Sequence, residues 1–358
     1  MTKLVYIVVQ NLDGEEKYMN HYKWLKQVTF VSLLVLLAMT AGCSLWDSAE
    51  ESKLIDPPPN DMMASLELND DQLYSDEGTI ENLPMSLYFK DQYGYVVPVT
   101  MNIPYVEGIA KQKLRYMVED GPISEKLPYD FTPVIPSGTE ILGLNIENQL
   151  AIVDFSEDFL NYEMNDERKL LEAVTWALTD FPTVDQVIIN VNGETLKKMP
   201  AQGIPLHEPL SRKMGINIEK SEGVPLSQTS AVTLYFLNRT NDSQNYYVPV
   251  TRLIQNPDDI VEATLSELIK GPLQPSGLNS VMIPSVEIIN TDQSEDLITL
   301  NLSDHILGMD QMVSEESLES IILSLTENTD ATRFQFLIND ESYNTPVTIP
   351  AHMNMFEM

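Results

Sequence analysis

What most constrains this chain of 358 residues is that it spells one series of motifs twice. Leu87-Tyr88-Phe89 returns as Leu234-Tyr235-Phe236, and Val97-Pro98-Val99-Thr100 as Val248-Pro249-Val250-Thr251. Gly121-Pro122 returns as Gly271-Pro272, and Ile135-Pro136-Ser137 as Ile283-Pro284-Ser285. Ala151–Ser156 aligns with Ile298–Ser303, and Val187–Glu194 with Phe334–Glu341, all in one order and at offsets of 147–151 residues. An ordered repeat of this length means a duplicated structural unit. Each copy is about 115 residues, enough for one core. The expected division is a first domain at 85–197, a polar linker at 198–230, a second domain at 231–345 and a tail at 346–358. Met214–Ile218 is apolar enough to add a short strand within the linker.

Periodicity then gives the elements of a copy. Met85–Phe89 and Tyr95–Met101 read as strands around a turn at Asp91–Gly94. Gly108–Glu119 reads as a helix stopped by Gly121-Pro122. Its partner is clearer, with Ile260, Val261, Thr264, Leu265, Leu268 and Ile269 at helical spacing before Gly271-Pro272. Glu140–Leu144 and Gln149–Phe155 read as strands about a turn at Asn145–Asn148. Asp166–Asp180 and Ser314–Thr326 carry the second helical stripe of each copy, and Gln186–Val191 and Arg333–Ile338 the last strand. The order β-β-α-β-β-α-β predicts an α+β fold, two tandem domains each built as a small sheet with helices packed on one face.

Before the repeats, His21, Lys23 and Lys26 precede an uncharged run, VTFVSLLVLLAM, at Val28–Met39, followed by Thr40-Ala41-Gly42-Cys43. A basic start, a short apolar run and a small-residue exit predict a signal peptide over residues 1–42. Met19 opens a compact basic version of that segment and is the expected true start. The Ala-Gly-Cys ending resembles the lipobox of bacterial lipoproteins, with Thr40 departing from the usual leucine. That resemblance implies Cys43 as a lipidation site, whose acyl chains would hold the chain on the extracytoplasmic face of the cell membrane. An uncleaved membrane segment with an incidental cysteine is the alternative. Residues 43–84 read as an acidic stalk, with eleven acids against Lys53 and the run Asp56-Pro57-Pro58-Pro59.

Composition narrows the chemistry. Cys43 is the only cysteine, so the chain can form no internal disulfide and no thiolate metal site. Beyond residue 42 there are 17 basic and 51 acidic side chains, a balance that argues against nucleic acid as a partner. His207, His305 and His352 lie far apart in sequence, and no metal-ligand, nucleophile-elbow or phosphate-loop motif is present. Asp154 could act as a catalytic acid, but its counterpart is Asn301, and Glu157-Asp158 corresponds only to Asp304-His305. These side chains read as caps of the loop after the strand, and Asp310, Glu315 and Glu316 as the solvated start of a helix. The expectation is no catalytic residue, no metal and no cofactor. Tyr88 and Tyr235, with Tyr93, Tyr95, Tyr246 and Tyr247, read as sheet packing or as a protein-contact surface. Trp176 is the only tryptophan in a repeat, which weakens a carbohydrate platform. The final AHMNMFEM reads as a frayed end.

The LYF, VPV, helix-GP, IPSG, AIVDFS and VIINVNG landmarks at about 83–200 and 231–345, with the lipoprotein signal, resemble the GerMN sporulation and germination domain family. Copy two departs at Val286, where the glycine of IPSG would stand. The resemblance implies a role in sporulation and germination as a non-enzymatic scaffold or assembly factor in the mother-cell and forespore envelope. It implies envelope or sporulation complex proteins as partners, self-association or packing between the two domains, and a core similar to ring-building domains. It carries no catalytic residues. A ligand- or peptidoglycan-binding module and a cell-wall hydrolase are the alternative functions.

Overall fold

The computed structural model describes residues 82–343, apart from 125, 222, 224, 226–227 and 274–276, together with 353–356. The expected signal peptide, Cys43 and the stalk up to residue 81 lie outside the described residues. Among the described residues, no helix is long and apolar enough to cross a membrane.

Copy one opens with a long antiparallel hairpin, β1 (Asn82–Asp91) and β2 (Val96–Pro104), to which the two-residue β3 (Phe131–Thr132) adds at one end. After α1 (Ile109–Tyr116) come β4 (Ile141–Glu147), β5 (Leu150–Phe155), α2 (Glu167–Thr179), β6 (Gln186–Val191) and β7 (Glu194–Thr195). These last four strands form a second sheet in the order β4-β5-β6-β7, with β5 and β6 parallel and joined through α2. The intervening segment contributes β8 (Glu219–Lys220). Copy two repeats the plan: hairpin β9 (Thr229–Arg239) and β10 (Asn245–Gln255), α3 (Ile260–Lys270), β11 (Ile288–Ser294), β12 (Leu297–Leu302), α4 (Glu315–Asn328), β13 (Arg333–Ile338) and β14 (Glu341–Tyr343). Its second sheet runs β11-β12-β13-β14. The protein is two tandem α+β domains with mixed sheets.

The expectation of one sheet with helices on one face is corrected. Each copy has two sheets, and α1, α2 and α3 each pack on both sheets of their copy. The reason lies in α2, where every residue from Leu170 to Leu178 is buried. A helix buried all round needs apolar cover on opposite sides, and α2 packs on β1 of the hairpin and on β6 of the second sheet. The hairpins are themselves covered on both faces. Val96–Met101 and Tyr246–Arg252 are buried without a break, so these strands read as continuous apolar runs. Most buried apolar side chains of both copies form one continuous cluster from Met85 to Phe356, and Tyr235, Tyr247 and Leu323 form a second, small one.

Local departures from the sequence reading have local causes. The first helix stops at Tyr116, because the next residues leave it to pair with the Ile-Pro-Ser segment: Glu119 N–H donates to Ile135 O at 2.8 Å and Ile135 N–H to Met117 O at 3.4 Å. The β4–β5 turn falls on Asn148 and Gln149, both with positive φ, so β4 runs three residues further than expected. The β6–β7 turn uses Asn192 and Gly193 at φ 49° and 79°, the pair that a two-residue hairpin turn favours. The edge of β9 is sealed by a helix: Ser320 and Ser324 of α4 bond Tyr235 O and N–H, and Asn328 bonds Thr233 N–H and O. These polar side chains recur at every fourth residue, along one line of the helix.

The segment between the copies is bound into the fold. Glu167, fully buried at the start of α2, accepts from the Tyr162 hydroxyl at 2.7 Å and from Ala201 and Gln202 N–H at 2.7 and 2.9 Å. Burial alone would raise this carboxyl, but the donors more than offset it and hold it below its ordinary 4.5. A depressed carboxylate contributes stability that is complete above its unfolded value and is lost as pH falls through the folded one. Thermal melts should therefore show Glu167→Gln less stable than the parent at pH 7 but with a shallower loss on acidification below about pH 4.5.

Candidate functional site

The chemistry of the fold converges where the copies meet. β2 and β10 run side by side, and two asparagines join them. Val96 N–H donates to the Asn217 side-chain oxygen at 2.8 Å, and Asn217 Nδ2 donates to Val96 O and Pro249 O at 2.8 and 2.7 Å. On the other side, Tyr247 N–H donates to the Asn354 side-chain oxygen at 2.6 Å, and Asn354 Nδ2 donates to Tyr247 O and Pro98 O at 2.8 and 2.6 Å. Val96 and Tyr247 are equivalent repeat positions, and so are Pro98 and Pro249. The two asparagines thus do the same job about a pseudo-twofold axis. Both are left-handed, at φ 49° and 52°, a conformation asparagine tolerates.

The residue before each asparagine completes the symmetry. Thr251 N–H donates to Ile216 O at 2.8 Å, and Thr100 N–H to Met353 O at 3.2 Å. The segment that follows copy one therefore pairs with the hairpin of copy two, where β8 lies parallel to β10, and the segment that follows copy two pairs with the hairpin of copy one. The exchange is reciprocal. The expected fraying of the C-terminus is overturned for residues 353–356: besides Asn354, buried Phe356 lies 5.2 Å from Phe131 and 6.4 Å from Tyr246, centroid to centroid.

A polar cluster lies close to this seam. Tyr88 donates to Asp180 at 2.9 Å, and its equivalent Tyr235 hydrogen-bonds Glu327, the equivalent of Asp180. Arg212 bridges the two carboxylates at 2.5 and 2.6 Å and lies 5.7 Å over the Trp176 ring. Lys113, almost wholly buried, holds the other oxygen of Asp180 at 2.7 Å. Two cations face two carboxylates, so the cluster is neutral. Burial pushes Tyr88 and Tyr235 well above the usual tyrosine range and Lys113 below that of lysine. Burial also raises Glu327, with Arg212 partly offsetting it. Deeper in the seam, Asp91 accepts from the Tyr246 hydroxyl at 2.9 Å and from its own repeat equivalent, Asn238, at 3.3 Å.

The residues singled out from sequence are dispersed. Asp154 accepts from Gly193 N–H at 2.9 Å, and Asn301 makes the matching pair of bonds with Asp340, so both tie the last hairpin turn. Asp158 bonds Asn161, His305 bonds Ser285 O, His207 lines a shallow groove with Leu206 and Leu210, and His352 lies outside the described residues. Among the described residues, no group of three or more His, Cys, Asp or Glu is placed to hold a metal ion. Tyr88, Tyr235, Tyr246 and Tyr247 are buried, so they serve contact inside the chain; Tyr93 is exposed. Sequence reasoning missed Asp180, Glu327, Asn217 and Asn354. The first pair was findable as acids at the same offset as Tyr88 and Tyr235.

Comparison with known proteins agrees with this geometry. A family model described as Germane, sporulation and spore germination, matches residues 86–197 and 233–344. The spore germination protein GerM of Bacillus subtilis (strain 168) is 35% identical over 346 residues, spanning 88% of this chain and 94% of that protein. A solved structure, the tandem GerMN domains of the sporulation protein GerM from Bacillus subtilis, is similar at a TM-score of 0.73 and 38% identity, covering 77% of this chain and 100% of that one. The two matched stretches are the two structural copies, and the chain belongs to the Germane family of sporulation and spore germination proteins.

Proposed function

We propose that the chain is a non-enzymatic scaffold of the spore envelope, lipidated at Cys43 and acting in sporulation and germination. In this reading residues 1–42 are the signal peptide, 43–84 the lipidated stalk, 85–197 and 231–345 the two working domains, 198–230 the linker and 346–358 the tail. The lipid anchor would hold the protein in the cell membrane on its extracytoplasmic face, within reach of envelope proteins between mother cell and forespore. The family and the relative named for spore germination support the process. The similarity to ring-building domains belongs to the same reading.

One observation supports a docking role most directly. Leu142 and Ile289 are repeat equivalents, each 45% exposed, and each is the extra residue of a β-bulge in an edge strand, β4 and β11. Bulges at sheet edges re-aim a side chain, and here both copies aim an aliphatic one into solvent. Crosslinked pulldown of the intact chain from sporulating cells is expected to recover envelope proteins, and Leu142→Asp with Ile289→Asp to lose them at unchanged melting temperature. Equal recovery by the variant, or no envelope protein at all, would contradict the reading. Cys43→Ser should in turn release the protein from the membrane fraction.

A further inference from the structure

The two bulged edge strands are guarded differently. On β4 a lysine of α1 covers the bulge: Lys111 Nζ donates to Leu142 O at 3.4 Å. Lysine at a sheet edge is a common device against the addition of a further strand. The helices α1 and α3 align by their buried faces, Ala110, Lys113 and Leu114 with Val261, Thr264 and Leu265, which puts Glu262 where copy one has Lys111. An ionised carboxylate only accepts hydrogen bonds, so it cannot cover the Ile289 carbonyl in the same way. Along the strands, Asp292 stands where β4 has Asn145. Both acids are exposed, and among the described residues neither has an ion-pair partner. β11 carries no lysine or proline, and among the described residues nothing bonds the backbone of its outer edge.

We propose that β11 is a strand-addition site for an extended basic segment of a partner protein, and that β4 is closed to it. The proposal rests on the docking reading above and says which copy docks and what it takes. The backbone of the added strand would satisfy the outer edge of β11. Its lysines or arginines would meet Glu262 and Asp292, and an aliphatic side chain would cover Ile289. Opposite charges on neighbouring strands attract, and like charges repel. A second copy of this chain fits worse for that reason: β11 against β11 brings Glu262 and Asp292 of one chain toward those of the other. The β4 edge of a second copy offers Lys111, but that lysine is bonded to its own strand. The balance of 17 basic and 51 acidic side chains beyond residue 42 points the same way, toward a basic partner.

Photo-crosslinking of the full-length chain in sporulating cells makes the test. A photoreactive benzoylphenylalanine is placed in turn at Ser294 of β11 and at its β4 equivalent, Glu147. The first should give a partner adduct, and the second at least about tenfold less of it. Digestion should place the Ser294 adduct on a partner peptide with more basic than acidic residues. Glu262→Lys with Asp292→Lys should abolish the adduct at unchanged melting temperature, and Lys111→Glu with Asn145→Asp should raise the adduct at β4. Equal adducts at both edges, or adducts indifferent to the charge reversals, overturn the proposal and leave the docking reading standing. An adduct on an acidic peptide, or on a peptide of this chain itself, overturns the basic partner as occupant. No adduct at either edge overturns the proposal, and the pulldown with Leu142→Asp and Ile289→Asp then decides the docking reading separately.

Discussion

Arg212→Met is expected to lower the melting midpoint of the protein by roughly 6–12 °C, from a loss of about 3 kcal/mol. Among the described residues, Arg212 is the only cation bonded to Glu327, and it shares Asp180 with Lys113. Removing it leaves one nearly buried carboxylate with only a tyrosine hydroxyl. The lower end of the range for breaking buried ion pairs applies, because the Arg212 side chain is 31% exposed and partly screened. A pH signature accompanies the loss. Glu327 is already raised by burial, and losing the guanidinium raises it further. A raised carboxyl gives stability that is present below its unfolded value and lost as pH rises through the folded one. The deficit of Arg212→Met should therefore shrink as pH falls from 7 toward about 5. Adding Glu327→Gln should recover part of it, so that a thermal double-mutant cycle is non-additive. An Arg212→Met deficit independent of both pH and Glu327 would show that the arginine acts only through packing on Trp176.

Asn217→Ala has an effect of similar size by another route. It strands the Val96 N–H and the carbonyls of Val96 and Pro249, each of which costs about 1–3 kcal/mol if buried and unsatisfied. It also places a Cβ residue without a polar side chain at positive φ, which adds about 1 kcal/mol. Partial hydration of the loosened segment reduces the sum, and about 3–4 kcal/mol is expected by denaturant titration. Asn354→Ala removes an equivalent set of bonds and should cost a similar amount, about 3–4 kcal/mol, by the same titration. Asn217→Asp keeps the backbone preference and the acceptor but not the donors, and should retain less than half of the stabilisation. A large cost at one asparagine and none at the other would contradict the equivalence of the two sites about the pseudo-twofold axis.

The duplication, the order of the longer elements and the strands Gln186–Val191 and Arg333–Ile338 were legible in the sequence because each rests on local pattern, whereas the two- and three-residue strands β3, β7, β8 and β14 were not. What escaped has one physical origin. Period and hydropathy assign polar residues to the solvent side, yet a strand edge inside a protein needs polar partners. Ser320 and Ser324 sit on such an edge and are fully buried. Asn217 and Asn354 look like ordinary loop residues until the strand they serve is known. Their segments, Ile216-Asn217-Ile218 and Met353-Asn354-Met355, share only the asparagine and its apolar neighbours, which is too little to align by eye. Tyr88, Tyr235, Tyr246 and Tyr247 follow the packing reading, since all four are buried within the chain. Asp154 and Asn301, expected to cap the loop after their own strand, instead tie the neighbouring hairpin turn by accepting from Gly193 and Asp340 N–H, a bond that a carboxylate or an amide oxygen can accept.

The reciprocal pairing makes the two copies one cooperative body, closed by segments that each lends to the other. Differential scanning calorimetry of the full chain tests it most directly. One transition is expected, with calorimetric and van't Hoff enthalpies that agree, and Asn217→Ala should move it downward as a whole. Two resolved transitions, with Asn217→Ala shifting one and leaving the other in place, would contradict it.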